Sequence, residues 1–336
     1  MRAFISRQPA LFVLASSFLA AWVIWGVSPL FEEVNEGFKR QLDLLGLLAP
    51  SLAALFVTTS LKGLSFIPNL RTHLIAFVFA FTLMLAAMVS VFDMTFSPLS
   101  IFGALMLSDL AAYVVSLSLT HKKSGHLFRS VADYKIPPVW LLVGLLIFPF
   151  ILLGSALATG MTLADIGGFF EPYATLGERL SVVVVTLFAL ATFGGALGQE
   201  LCWRGFLMPR MVRRFHPFIV SLLIGALWAL WYAPLYFNGF YEGGLEGVLI
   251  RFLWNVPLAI VFTWVFIRGR GSVLLAILMH ASLSIGLFVL PLSENALEYA
   301  VFALIAIALF ISLVDPLLRR KNDAFEHLRD RSDLYY

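Results

Sequence analysis

Charge is scarce in this chain, and cysteine nearly absent. Asp, Glu, Lys and Arg together make up 13% of its 336 residues, about half of the roughly 25% typical of soluble domains. Hydrophobic residues reach 60% and mean hydropathy is +0.92, which excludes an ordinary soluble domain. One cysteine, Cys202, excludes an internal disulfide and a cysteine metal cluster. Long linkers, internal repeats and low-complexity stretches are missing, so the chain is not an array or a disordered scaffold. The first apolar run lacks a small-residue cleavage pattern and is not read as a removable signal.

What fills the chain instead is a series of apolar runs, each long enough to cross roughly 30 Å of hydrocarbon. Ten are expected, near 10–30, 42–61, 73–92, 97–119, 138–159, 180–203, 217–237, 247–267, 272–292 and 298–316. The expected fold is therefore all-α: a polytopic helical membrane protein with an intramembrane polar cavity. Charge sorting gives its orientation. With the N-terminus inside, the inner segments collect Arg2, Arg7, Lys62, Arg71, Lys122, Lys123, Arg129, Lys135, Arg210, Arg213, Arg214, Arg268, Arg270, Arg319, Arg320, Lys321, Arg329 and Arg331, 18 of the 23 basic residues. The outer loops carry mostly acids, among them Glu32, Glu33, Glu36, Asp165, Glu171, Glu178, Glu242, Glu246, Glu294 and Glu298. The positive-inside rule then puts both termini in the cytoplasm. Topology accounts for the net charge of +3, and no nucleic-acid partner is expected; the lipid bilayer is the expected environment.

The basic stretch 120–136 and the acidic, glycine-containing loop 160–179 are the natural joints. They suggest N-terminal transmembrane helices over 1–136, a core over 137–318, and a charged cytoplasmic tail over 319–336 that suits the cytosol or anionic headgroups.

Charge inside an apolar run is the strongest local signal, because it costs about 2.5–3.5 kcal/mol at bilayer depth. Gly198-Gln-Glu-Leu-Cys-Trp-Arg-Gly-Phe-Leu-Met-Pro-Arg-Met211 places Glu200 and Arg204 on one helix face, four residues apart. Taken alone, such a pair is equally a site or a neutralising ion pair. Two later segments bear on it, Ala226-Leu-Trp-Ala-Leu-Trp-Tyr-Ala-Pro-Leu-Tyr236 and Gly271-Ser-Val-Leu-Leu-Ala-Ile-Leu-Met-His-Ala-Ser-Leu-Ser284. His216-Pro217 reads as the turn between spans six and seven. Glu200 and Tyr232 are each 16 residues from His216, about 24 Å at 1.5 Å per residue, and so at matching depth. That requires span six to continue past Arg204 towards Arg214. His280 and Ser284 again share one face.

In this order and spacing the three segments resemble the motifs of the CAAX prenyl endopeptidase and bacteriocin-processing (CPBP) family of intramembrane proteases. Its pattern is Glu-Glu-x-x-x-Arg, Phe-x-x-x-His, and His-x-x-x-Asn or Asp. The resemblance covers roughly residues 180–290, with Trp203 to Leu207, Pro209-Arg210, Trp231 to Pro234, Gly271-Ser272 and His280-Ala281 following common bacterial forms. It implies an integral protein of a prokaryotic cytoplasmic membrane acting on a peptide or membrane-protein substrate or partner. It also implies that the first Glu and first His activate water, while the second His and the Asn stabilise an oxyanion. Here those positions hold Gln199, Tyr232, His280 and Ser284, with Glu200 and Arg204 unchanged and Trp228 in place of the Phe.

The departures fall on the chemistry. A glutamine amide is no general base, and a tyrosine of reference pKa about 10 is protonated at neutral pH. Three readings stay open: a CPBP-type scaffold whose water-activating groups are replaced, an active variant endopeptidase in which Glu200 or His280 serves as base, and a small-molecule transporter. No inverted repeat or matched pair of broken helices supports the transporter.

The remaining polar residues have plainer readings. Cys202 is either a nucleophile near His280 or a small apolar packer. Asp109, within an apolar run, lines a polar path or pairs inside the bundle. His73, His121, His126, His216 and His327 read as solvated surface. A zinc ion wants three or four ligands; with Tyr232 replacing a histidine, only Glu200 and His280 are left, so neither metal nor cofactor is expected.

Overall fold

A computed structural model describes residues 2–132 and 134–319. The tail from Arg320 onward, including His327, lies outside the described residues. Every expected run becomes helical. Six helices are long and apolar enough to span a bilayer: α1 (Pro9–Val27, running on in a tighter turn to Phe31), α4 (Leu70–Ser90), α5 (Pro98–Thr120), α6 (Pro138–Ala158), α10 (Gly244–Arg268) and α12 (Glu294–Val314). Two further runs are each split by a bend. They are α2 (Glu36–Gly46) with α3 (Ala49–Lys62), bent by 41°, and α7 (Leu176–Thr192) with α8 (Ala196–Met211), bent by 42°. The last two, α9 (Pro217–Trp231) and α11 (Val273–Val289), are shorter. Six to eight helices thus meet the length and apolarity a span requires. The chain is a polytopic helical membrane protein, with six to eight candidate spans among the described residues against the ten expected, the shortfall lying in the two short helices α9 and α11 and in the two bent pairs.

Local chemistry sets the helix ends. Asn69 accepts from the Thr72 amide, Ser272 from Leu275 and Ser293 from Ala296. Reciprocal capping boxes open α5 (Ser97/Ser100) and α7 (Thr175/Glu178). Each such cap satisfies an amide that has no partner within its helix. The α7–α8 bend has a different cause. Gly195 holds φ at +102°, and a Cβ on Gly194 would meet the Leu190 backbone at 2.9 Å. Residues with side chains would not turn the chain this sharply.

The bend carries α8 inward to where the bundle is tightest. A Cβ on Gly198 would lie 2.1 Å from the Leu47 carbonyl oxygen, so the α2–α3 corner is in backbone contact with α8. Ser51 adds a hydrogen bond to the Leu197 carbonyl at 2.7 Å. α1 joins from the other side: Trp22 donates to the Trp231 carbonyl at 3.0 Å, and the Trp25 ring lies 4.7 Å from that of Trp231. α9 and α10 form a hairpin, and α11 packs on α6, where Ser282 reaches the Gly144 carbonyl at 3.2 Å. The leading helices therefore touch α8 and α9 directly.

Candidate functional site

α8 is the helix that positions the site, and it is not a plain α-helix. Trp203–Leu207 forms a π-helical turn between α-helical flanks. Such insertions open the backbone ladder locally and are frequent at functional sites. The helix continues past Arg204 to Met211, as the depth argument required. α9 ends at Trp231, which puts Tyr232 at its C-terminal cap facing α8.

Two networks diverge from adjacent residues, since neighbours on a helix point about 100° apart. The first is neutral. Gln199 Oε1 accepts from Trp228 Nε1 at 2.7 Å and from the Tyr232 hydroxyl at 3.0 Å, and Gln199 Nε2 lies 2.9 Å from the same hydroxyl. The amide oxygen has thus filled both of its acceptor positions. The second network is ionic. Arg204 Nη1 donates to both Glu200 oxygens, at 3.1 and 2.9 Å, and His280 Nδ1 lies 2.8 Å from Glu200 Oε1. Paired with Arg204, the Glu200 carboxylate only accepts, so the proton of the His280 contact sits on Nδ1. In a neutral imidazole, Nε2 then keeps its lone pair, and it makes no hydrogen bond among the described residues.

Aromatic rings join the two networks. The Arg204 guanidinium lies 4.7 Å from the Trp228 ring centre and 4.4 Å from that of Phe262. Its Nε and Nη2 have no hydrogen-bond partner among the described residues, so ring faces take up part of what water would otherwise supply. His280 packs against the same two rings at 5.5 and 6.0 Å. Trp228 therefore donates its N–H to the neutral network and presents its face to the ionic one.

The expected polar cavity is closed at this depth. Gln199, Glu200 and Arg204 have 0% exposure, so no water molecule can touch them. The exposure left in the site belongs to His280 (6%), Tyr232 (5%) and the half-buried Ser284. Ser284 turns its hydroxyl onto the His280 carbonyl of its own helix at 3.1 Å. Cys202 is buried in the apolar core, as a packing residue would be. No group of three His, Cys, Asp or Glu side chains that could hold a metal occurs among the described residues.

Some sequence expectations need correction. His126 is buried (2% exposed) in a short turn, His126–Arg129, packed beside α5 and the π-helical turn. His73 is engaged rather than solvated, with Nε2 3.0 Å from Asp109 Oδ1 and Nδ1 3.1 Å from the Ser116 hydroxyl. That contact gives Asp109 the pairing role, between α4 and α5. His216 caps α9 by accepting from the Phe218 amide at 3.3 Å, and His121 bonds the Ser65 carbonyl at 2.8 Å.

Two elements of the site were not anticipated. Arg251 on α10 backs Tyr232: its guanidinium lies 4.8, 4.7 and 5.6 Å from the Tyr232, Tyr241 and Tyr236 rings, and Nε donates to the Tyr236 hydroxyl at 2.8 Å. Among the described residues no carboxylate reaches it. A lone basic residue in the 247–267 run was the available signal. The second is a node at Asp43, which accepts from Ser28 at 2.6 Å and Asn238 at 2.8 Å, with Lys39 at 3.7 Å. It ties α1 and α2 to the segment after Tyr232.

The fold and the site define a class: polytopic helical membrane proteins with a desolvated polar cluster assembled from three neighbouring helices. Residues 181–286 match the family described as type II CAAX prenyl endopeptidase Rce1-like. The chain is also 30% identical over 184 residues to CAAX prenyl protease 2 of Methanococcus maripaludis, an alignment covering 52% of this chain and 65% of that relative. Through this region the chain is similar to CAAX prenyl protease-like membrane proteins, the CPBP family. It spans slightly less than two thirds of the relative's length.

Proposed function

We propose that this protein is a CPBP-family membrane protein that uses the family's scaffold to hold a peptide or the terminus of a membrane protein without hydrolysing it. The observation that carries this reading is the closed Gln199–Trp228–Tyr232 network. By the resemblance, a water-activating Glu and His would stand at 199 and 232. Here the amide oxygen is already shared by two donors, and neither an amide nor a neutral phenol accepts a proton from water at neutral pH. Zero accessibility at Gln199 adds a second obstacle. In this reading residues 137–318 form the core, residues 1–136 brace α8 and α9 from one side, and Glu200 with Arg204 and His280 holds α8 to α11. The protein sits in a prokaryotic cytoplasmic membrane with both termini in the cytoplasm, the side to which charge sorting assigns the basic segments.

One observation favours a second reading, an active variant endopeptidase. His280 has its Nδ1 oriented by a carboxylate and a lone pair left on Nε2, the arrangement that makes a histidine a general base. The Ser284 hydroxyl, one turn further along α11, is turned to its own helix. The test is peptide hydrolysis by the purified native protein, His280→Ala and Glu200→Gln, with binding of the same peptide measured in parallel. The scaffold reading expects binding without turnover in the native protein. Turnover abolished by His280→Ala would replace it with the variant enzyme.

A further inference from the structure

A second polar feature lies at the end of the bundle where basic residues gather, and the site does not use it. A cavity of about 740 Å3 opens between the start of α1, the end of α3 and the end of α8, inside the about 300–1,000 Å3 range of small-molecule sites. Four arginines line it: Arg7, Arg210, Arg213 and Arg214. No carboxylate is among the described residues that line it. Arg7, just before α1, faces Arg210, Arg213 and Arg214 at the end of α8 across one hollow, although like charges repel. Topological sorting of charge accounts for basic residues at this end of the bundle, but not for a hollow that Arg7 shares with the three arginines ending α8.

The geometry prepares one of them to bind. Arg210 Nη1 donates to the Phe206 carbonyl at 2.9 Å, and its guanidinium stacks 3.7 Å from the Phe206 ring centre. That fixes its plane and leaves its other donors towards the cavity side of α8. Arg7, Arg213 and Arg214 are exposed around it. The rest of the lining is largely apolar, including Leu61, Met211 and Phe215.

We propose that this cavity binds the phosphate of an anionic membrane phospholipid, with the arginines on the headgroup and the apolar lining on the start of its acyl chains. Guanidinium forks match phosphate oxygens in pairs, and clustered basic side chains at the headgroup level draw anionic lipid. The apolar wall selects a lipid over free phosphate. Phe206 belongs to the π-helical turn that carries Arg204, so the bound headgroup lies about 9 Å along α8 from the ionic network. It would anchor the end of the helix that positions the site.

The test compares the full chain in nanodiscs of phosphatidylcholine with and without phosphatidylglycerol, reading retained lipid by native mass spectrometry and the unfolding midpoint. A third arm adds inorganic phosphate to the phosphatidylcholine sample. Phosphatidylglycerol should co-purify and raise the midpoint, while inorganic phosphate should not. Arg7→Gln and the double change Arg213→Gln/Arg214→Gln should weaken retention by about fivefold per arginine removed. Arg71→Gln, an equal loss of charge on an exposed α4 residue outside the cavity, should leave retention unchanged, and Arg213→Lys should retain most of it. Protection by inorganic phosphate alone would overturn the lipid assignment. Retention that falls equally for Arg71→Gln and the cavity variants, or for none of them, would overturn the site.

Discussion

Gln199 and Glu200 are consecutive residues on one helix, yet they belong to two clusters that behave differently. Each hydrogen-bond partner of the Gln199 side chain is neutral, and the loss of any one leaves another neutral group behind. Around Glu200 a carboxylate and a guanidinium with 0% exposure share a buried space with the imidazole of His280. A buried neutral hydrogen bond in a membrane protein contributes about 0.5–2 kcal/mol. A buried charge stripped of its partner costs about 3–5 kcal/mol. The comparison teaches where the constraint lies. The family's Glu and Arg are retained at 200 and 204, where a single change would strand a charge. Three of the four departures fall at 199, 228 and 232, where a compatible neutral set replaces the expected residues together, and the fourth is Ser284, one turn after His280.

The largest effect that could break this contrast is Arg204→Met. Glu200 would lose the donor to both its oxygens, and stability should fall by about 3–5 kcal/mol, measured by unfolding in detergent. Adding Glu200→Gln should recover most of that loss, because the charge needing a partner is gone. A loss no larger than that from a neutral hydrogen bond would remove the distinction. Tyr232→Phe comes next: Gln199 loses one donor and one acceptor partner, for an expected cost of about 0.5–2 kcal/mol. Smallest is Ser284→Ala. Its hydroxyl only returns to a carbonyl of its own helix, so the change should stay within about 0.5 kcal/mol.

How much of this could be read from the sequence follows from which forces are local. Apolar runs, caps and motif spacing are local, and they located the long apolar helices and the facing residues of α8, α9 and α11, but not the short helices Arg2–Arg7, His126–Arg129 and Leu163–Gly168. Counting residues from the His216 turn correctly put span six and Tyr232 at one depth, and the structure joins Gln199 to Tyr232 by hydrogen bonds. The bends were not legible as bends. Gly194 and Gly195 sit in a run of otherwise suitable length, and only the backbone contact of Gly198 with Leu47 gives the break its purpose. Trp228 was read as a substitute for Phe, and its N–H donation to Gln199 depends on where α8 comes to rest. His126 and Asp43 are buried by elements distant in sequence, which no periodicity reports. Arg251 was visible as a charge in an apolar run, but its tyrosine surroundings come from the loop after α9 and could be found only in three dimensions.

The central claim is that the scaffold is intact and its water-activating pair replaced. The most direct measurement is hydrolysis of a CAAX-type peptide by the native protein beside the double change Gln199→Glu/Tyr232→His. The account predicts no turnover by the native protein and measurable turnover by the double variant. Turnover by the native protein that disappears in His280→Ala would contradict it.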